Sequence, residues 1–585
     1  MTGPEKVDTV SRTDRLGAIL TRTGLYILAV AIICLAIQGD NLAIRLFRTQ
    51  DLAILVTGGL MLVTLGRRPF AMALPCLRIP PVLLVAAIAA LVLVTCWAGT
   101  WLVFGGYALT RDELLADFDA TFLARGMLFA PVPVEWQSYS SALMPQYMLP
   151  IPANIGWLSG YLPANAALRA IGLATTGSDW VSPILAAITV IALYGAGRRL
   201  WPQSPLLPLL PVLLLVSSAQ FLTMAMTPYA MTAHLAFNQL WLWCFLRADR
   251  RGEAGALAAG FVATGLHQLL FHPLFVFPFI VEMWFTGSRR RAIFYAAAYV
   301  LIGLFWATYW RIALPMPGTA GDGAGGPALL AGRALALLAA LDWSAIPLMA
   351  LNLSRFLSWQ NLLLLPLALL AWPAIRRGEG SARPLAMGIV LTILVMLFLL
   401  PWQGHGWGYR YLHGFIGSFC ILAGYGWKSL ANTTDSRRRT GALAIGTAAS
   451  LALILPVHLF QARGFVAPYR AASAALGRSP AEVVLVDGTG LLYAEDLVRN
   501  APDLSNRPKI MDLNALTEPQ LAALCRRYRV ARLLSGEARA IGIPAGEAPP
   551  GSPVISSRNQ LLDRIGCGVP ATAGAGTEAA QGRTD

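Results

Sequence analysis

The chain has 585 residues, 56% hydrophobic and only 13% charged, with a formal net charge of +15. That charge fraction is about half that of an ordinary soluble domain, and apolar runs of about 16–24 residues, long enough to cross a bilayer, recur along most of the chain. A soluble enzyme is excluded, and so is nucleic-acid binding: the arginines form short clusters between apolar runs (67–68, 198–199, 250–251, 289–291, 376–377 and 437–439), as cytoplasmic loops of membrane proteins do.

Residues 1–23 are basic, and the apolar run that follows lacks a small-x-small cleavage site, which predicts a retained first helix. Hydropathy and charge together predict an all-α polytopic membrane protein of about thirteen transmembrane helices. Their expected extents are 20–38, 51–66, 81–104, 182–197, 205–222, 230–246, 254–268, 272–286, 292–311, 358–375, 384–401, 413–430 and 441–460. The N-terminus and every basic cluster then lie in the cytoplasm. The tail from about residue 462 lies outside.

Three regions fall on the outer face. Residues 105–180 form the first outer loop, rich in Trp, Tyr and Pro, and read as short helices lying on the membrane surface. Residues 312–357 open on the glycine-rich GTAGDGAGGP. In the tail, AEVVLVDG, PKIMDLN and VARLLSG read as buried strands, with GLLYAEDLVRN and EPQLAALCRRY as helices between them. The expected organisation is a multi-span domain over 1–461, a small extracytoplasmic α/β domain over 462–570 and a disordered segment over 571–585. Cys525 and Cys567 lie in the tail, and the sequence leaves their pairing open. The strand–DGTG turn at Asp487, Gly488 and Gly490 is a weak nucleotide or sugar signal beside a structural role.

Acid is concentrated in the first outer loop, where TRDELLADFD carries Asp112, Glu113, Asp117 and Asp119. Thr110-Arg-Asp-Glu113 fits a capping box, and acids in a first turn offset the helix dipole. Leu114, Leu115, Phe118 and Phe122 then form an apolar face expected to lie on the membrane. A carboxylate held near apolar material is also a candidate base. Asp112 and Asp119, seven apart, share one helix face, which makes Asp112, Glu113 and Asp119 the candidate catalytic acids.

Late in the chain, PWQGHGWGYRYLHGF joins two spans. An interfacial aromatic belt accounts for its Trp and Tyr but not for an arginine and two histidines. Arg410, His405, Tyr409, Tyr411 and His413 are therefore candidate contacts for a lipid phosphate or sugar, with Arg410 foremost. Arg311, just after the ninth span, is a candidate phosphate contact or an ordinary snorkelling residue. His267 and His272 lie at an outer turn and His234 and Asn238 one turn apart in a span, without a recognised metal-ligand spacing.

The stretch TRDELLADFDATFLARGMLFAPVP resembles the start of the first outer loop in the membrane-embedded C-type glycosyltransferases, in their protein O-mannosyltransferase and aminoarabinose-transferase branches. In those proteins an Asp-Glu pair opens the loop and a glycine–hydrophobic–proline segment follows. The matching residues here are Asp112-Glu113 and Gly126 to Pro133. Asn154 to Gly172 resembles the part of that loop leading into the next surface helix. The chain departs from many members in having no acidic residue between Gln220 and His234, so the resemblance does not by itself establish a metal site.

The resemblance implies a polyprenyl-phosphate-linked sugar donor, Asp112 as the general base and inversion at the sugar carbon. It implies no certain cofactor, with a divalent metal an open question. The expected partners are that donor, the lipid bilayer and an envelope glycan, lipid or protein acceptor. The Arg-heavy, Lys-poor composition points to a bacterial inner membrane. Rival readings are an O-antigen ligase or polymerase, a transporter or flippase of lipid-linked sugars, and a non-catalytic scaffold. An internal repeat of the kind transporters show is not evident.

Overall fold

The computed structural model describes residues 14–68, 70–73, 79–144, 148–149, 151, 154–314, 343–431, 433–546 and 557–570. The expected disordered segment 571–585 and most of the glycine-rich outer region lie outside these residues.

Among the described residues seven helices are long and apolar enough to cross a bilayer: Arg15–Leu35, Leu42–Arg67, Pro81–Leu102, Ser178–Leu200, Arg289–Ala313, Ala382–Leu399 and Ser436–Gly477. The protein is a polytopic helical membrane protein, but length alone does not reproduce a count of thirteen. The remaining apolar segments are shorter. Met231–Phe245 and Ile416–Ser429 are buried along most of their length, so protein surrounds them and they need not match the lipid thickness. The expected span 205–222 breaks into Leu209–Val216 and Ala219–Met224, because Ser218 caps a new helix by accepting from the Phe221 N–H at 3.2 Å. Arg289–Ala313, by contrast, turns Val300, Leu301, Leu304 and Ile312 outward, as a lipid-facing helix does. Ala345–Ser358, expected to lie outside the membrane, is a helix packed against Arg15–Leu35 and Leu42–Arg67.

The basic clusters collect at one end of the bundle. Arg438 donates to the Gly66 carbonyl at 3.1 Å and pairs with Asp14. Arg291 pairs with Glu253 at 3.1 Å, and Arg383 with Glu282 at 3.1 Å. The first outer loop and the tail occupy the opposite end. The last helix has 42 residues, about 63 Å at 1.5 Å per residue, roughly twice the hydrocarbon thickness. Its far end packs into the main core through Val466, Tyr469, Ala472 and Leu476, and the Tyr469 hydroxyl donates to the Leu492 carbonyl at 2.7 Å.

Beyond that helix four parallel strands run in the order Lys509–Asp512, Val483–Val486, Val530–Leu533, Val569–Pro570. All three expected strand stretches are strands. Of the two expected helices, Glu518–Arg527 forms. Residues 490–500 do not; they hold only a short 3-10 turn at Ala494–Leu497. Arginine side chains bind carbonyls there in place of a helical ladder: Arg111 reaches Val498 O at 3.0 Å and Glu495 O, and Arg499 reaches Asp496 O at 2.8 Å. Cys525 and Cys567 form a disulfide that joins this helix to the edge of the sheet.

The surface helix Arg111–Leu123 carries the predicted capping box, with the Thr110 N–H donating to Glu113 Oε2 at 2.9 Å. Its apolar face does not meet the membrane. Leu115, Phe118 and Phe122 pack with Trp136 and Trp157 against Val483, Leu485 and Met511 of the sheet. An apolar helix face needs any dry partner, and the tail is one. The first outer loop and the tail therefore share one core. Phe118→Ala is expected to destabilise that core by about 3–5 kcal/mol. Limited proteolysis should then cut the tail faster than in the wild type, and an unchanged cleavage rate would refute the shared core.

Candidate active site

Each carboxylate of TRDELLADFD has a partner of its own. Glu113 closes the capping box and also accepts from the Thr110 hydroxyl at 3.0 Å. Asp117 pairs with Arg169 of the next surface helix at 3.2 Å. Asp119 accepts from the Ser159 N–H at 3.1 Å and from its hydroxyl. Asp112 accepts from Tyr161 on one oxygen and pairs with Arg410 on the other.

Asp112 and Arg410 stand 298 positions apart in sequence. They line one cavity of about 570 Å³ at the end of the bundle opposite the basic clusters. The first turn of the surface helix, Tyr161, and His267 at an interhelical turn form one side. The loop from Trp402 to Tyr411 forms another, and Leu491 to Asp496 of the tail close a third. Leu42 and Arg45 reach the wall from the N-terminal part of the bundle.

Arg410 is held at its backbone and at both ends of its guanidinium. Its backbone N–H donates to Gln403 Oε1 at 2.8 Å, and its guanidinium donates to the Gln403 carbonyl. That guanidinium lies over the Tyr229 ring at 4.9 Å and near Tyr411 at 5.9 Å. Tyr229 and Thr110 bring their hydroxyl oxygens within 2.8 Å, tying the floor to the helix start that presents Asp112. Gly404 and Gly408 take positive φ (67° and 73°), the left-handed turns that fold the loop tightly over this point.

Burial would push the Asp112 carboxyl up, but the Arg410 charge and the Tyr161 hydroxyl hold it below the usual carboxylate range. It is ionised at neutral pH. Burial pushes His267 down to about 4, which leaves its ring neutral against Tyr161, 4.1 Å between centroids. Burial raises Glu113 and Asp119 to about 7 in spite of their hydrogen bonds, and raises Asp496 to about 7 against the opposing charge of Arg111, 3.4 Å away.

Of the residues singled out in sequence, Asp112, His267, His405, Arg410 and Tyr411 line the cavity. Glu113 and Asp119 do not, and both are buried within the surface layer. Asp119 acts at one remove: it fixes Ser159, two residues before Tyr161. Tyr409 lies behind the wall, its carbonyl accepting from Gln220 at 2.8 Å. His413 is fully buried, and Arg311 is exposed at the end of its helix, away from the cavity. His272 is bracketed by Asn238 and Tyr299, each at 2.7 Å. Among the described residues no group of three or more His, Cys, Asp or Glu is arranged to hold a metal ion.

Sequence reasoning missed Tyr161, Tyr229 and the tail wall. Tyr161 sits in NIGWLSGYLP, where only its place between Gly160 and Pro163 marked it. The tail wall gave a misleading helical signal. Tyr493 adopts a left-handed φ of 53°, rare for an aromatic residue, and this turns 491–496 toward the cavity.

No family model and no curated protein matches the chain. Among solved structures, ArnT from Cupriavidus metallidurans in the apo state aligns over 71% of this chain and 84% of its own, at 14% identity and a TM-score of 0.44. The same protein bound to undecaprenyl phosphate aligns over 79% and 87%, at 13% identity and a TM-score of 0.46. The arabinofuranosyltransferase AftD from Mycobacteria aligns over 76% of this chain but 32% of its own, at 15% identity and a TM-score of 0.38.

Asp119 sets a pH dependence. Its unfolded carboxyl ionises near 3.8 and its folded one near 7. Between these values the folded state binds the extra proton, so stability falls as pH rises. Glu113 and Asp496 act in the same sense. Asp119→Asn keeps a partner for both Ser159 groups and no longer titrates. Thermal unfolding of this variant should show a shallower fall in Tm between pH 5 and 7.5, and an unaltered slope would refute the assignment.

Proposed function

We propose that the chain is a glycosyltransferase that moves a sugar from a polyprenyl-phosphate-linked donor to an acceptor at the outer face of the membrane. The observation that carries the reading is the meeting of Asp112 and Arg410 on the wall of one cavity at the outer end of the bundle. A carboxylate that accepts a proton and a guanidinium that binds phosphate are the two charges this chemistry needs side by side.

In this reading Asp112 takes the proton of the attacking acceptor hydroxyl or amine. The acceptor atom bonds to the sugar carbon from the face opposite the phosphate. The carbon–oxygen bond to the phosphate breaks with its electron pair on the phosphate oxygen, and the configuration inverts. Arg410 steadies the growing phosphate charge. As the guanidinium turns part of its charge to the phosphate, Asp112 loses part of what holds its pKa low and becomes a stronger base. Tyr161 and neutral His267 keep the carboxylate aimed.

Sidedness rests on two supports. The basic clusters gather at the end opposite the cavity, which fits a cytoplasmic inner end. The Cys525–Cys567 disulfide lies at the cavity end and fits an oxidising compartment. We place the protein in a bacterial inner membrane, N-terminus inside and tail in the periplasm. A transporter reading is weaker, since the polar cluster lies at the outer end and not at mid-membrane.

Transfer is measured from a panel of polyprenyl-phosphate sugars in membranes carrying wild type, Asp112→Asn or Arg410→Ala. Loss of the base is expected to lower kcat by about 10²–10⁴-fold at normal protein level. Arg410→Ala is expected to raise the donor KM as well. Intact transfer by Asp112→Asn would contradict the base role, and no transfer by wild type from any donor would contradict the whole reading.

A further inference from the structure

A second ion pair lies deeper in the bundle and touches no part of the cavity. Asp51 closes a wide helical turn, Phe47–Asp51, inside the helix Leu42–Arg67. Arg355 lies near the end of Ala345–Ser358. Their side chains pair at 2.8 Å, with Asp51 fully buried and Arg355 nearly so. Charges at such depth are expensive and need close partners.

Asp51 has three: Arg355 Nη1, the Ser358 hydroxyl at 2.7 Å and the Trp359 indole N–H at 3.1 Å. His458 of the last helix stacks on Trp359 at 3.7 Å, with Nε2 3.0 Å from the Ser358 carbonyl. Bundle cohesion accounts for all of these contacts, but not for the remaining one. The Arg355 Nη2 group, besides meeting Gln50 Oε1 at 3.1 Å, donates to the carbonyl of Gly406 at 2.8 Å.

Gly406 lies in the loop that carries Arg410. A Cβ at this glycine would stand 2.4 Å from Arg410 Cγ and 2.5 Å from its Cδ, so the arginine's stem rests on the Gly406 backbone. The chain of contact runs from Asp51 through Arg355 to Gly406 and on to Arg410. Gln403 fixes the head of Arg410, and Arg355 fixes the floor under its stem.

We infer that Arg355, braced by Asp51, is a positioning residue that sets the depth at which Arg410 presents its guanidinium to an anionic phosphate in the cavity. The inference rests on the phosphate-binding reading of Arg410. The wide turn at Phe47–Asp51 is part of the device, since an unwound turn rotates Asp51 toward Arg355, and such turns recur at functional places in helices. Lysine cannot replace this arginine: one ammonium cannot reach Asp51 and the Gly406 carbonyl in the same forked geometry.

The test uses the full-length protein in detergent with Arg355→Lys, and the double variant Asp51→Asn/Arg355→Gln, which leaves no unpaired buried charge if Arg355→Lys fails to fold. Arg438→Ala, which breaks an ion pair at the other end of the bundle, is the control for general loosening. Hydrogen exchange over 403–410 and binding of undecaprenyl phosphate are measured on the folded fraction. In either Arg355 variant, exchange in the loop is expected to accelerate, and affinity to fall about tenfold, the scale of one lost charge-assisted hydrogen bond. Arg438→Ala should change neither.

Unchanged loop exchange in the folded Arg355 variants would overturn the inference. So would faster loop exchange with wild-type affinity. A wild type that does not bind undecaprenyl phosphate, while the loop still loosens in the variants, would overturn the phosphate reading and leave Arg355 as the brace of the loop.

Discussion

A charge can lie beside hydrocarbon only if its partner is fixed in advance, and the Asp112–Arg410 pair imposes that condition on everything around it. The capping box at Thr110 sets where Asp112 leaves its helix. Ser159, latched by Asp119, sets where Tyr161 meets it. Gln403 and Tyr229 set Arg410. These supports come from segments far apart in the chain, so the cavity exists only when bundle, first outer loop and tail are assembled together.

The tail is part of this requirement. Arg111, next to Asp112, binds the carbonyls of Glu495 and Val498 and faces Asp496. The same helix buries Phe118 and Phe122 under the tail's sheet. One helix therefore presents its first turn to the cavity and its apolar face to the sheet. The wall formed by 491–496 follows from that second contact. A tail that only guided an acceptor would need neither the shared core nor the arginine bonds.

Much of this was legible in the chain itself. The capping box is a local pattern, and local hydrogen bonds do not depend on the rest of the fold. Basic clusters marked one end because sidedness is written in loop charge. Three tail strands were readable because fully buried parallel strands are short apolar runs. Asp112 and Arg410 stood out as charges placed where apolar sequence gave no reason for them. What failed was partner identity. The face of Phe118 and Phe122 shows that it will be buried, not against what. Residues 490–500 carry helical composition, but arginines from other segments take their carbonyls. Asp51 follows the polar stretch Arg48-Thr49-Gln50 at the start of an expected span, Arg355 falls in the expected outer region 312–357, and only the fold brings them together. Helix length alone does not recover thirteen spans, because helices enclosed by other helices are not held to the membrane's thickness.

The central claim is that the cavity bounded by Asp112 and Arg410 receives a lipid phosphate. It is tested most directly by photo-crosslinking in membranes with a polyprenyl phosphate that carries a diazirine beside the phosphate. Adducts are expected within 402–411 and on the segments that hold Asp112 and Tyr161, and excess unlabelled polyprenyl phosphate should suppress them. Adducts confined to the arginine clusters at the opposite end would contradict the account.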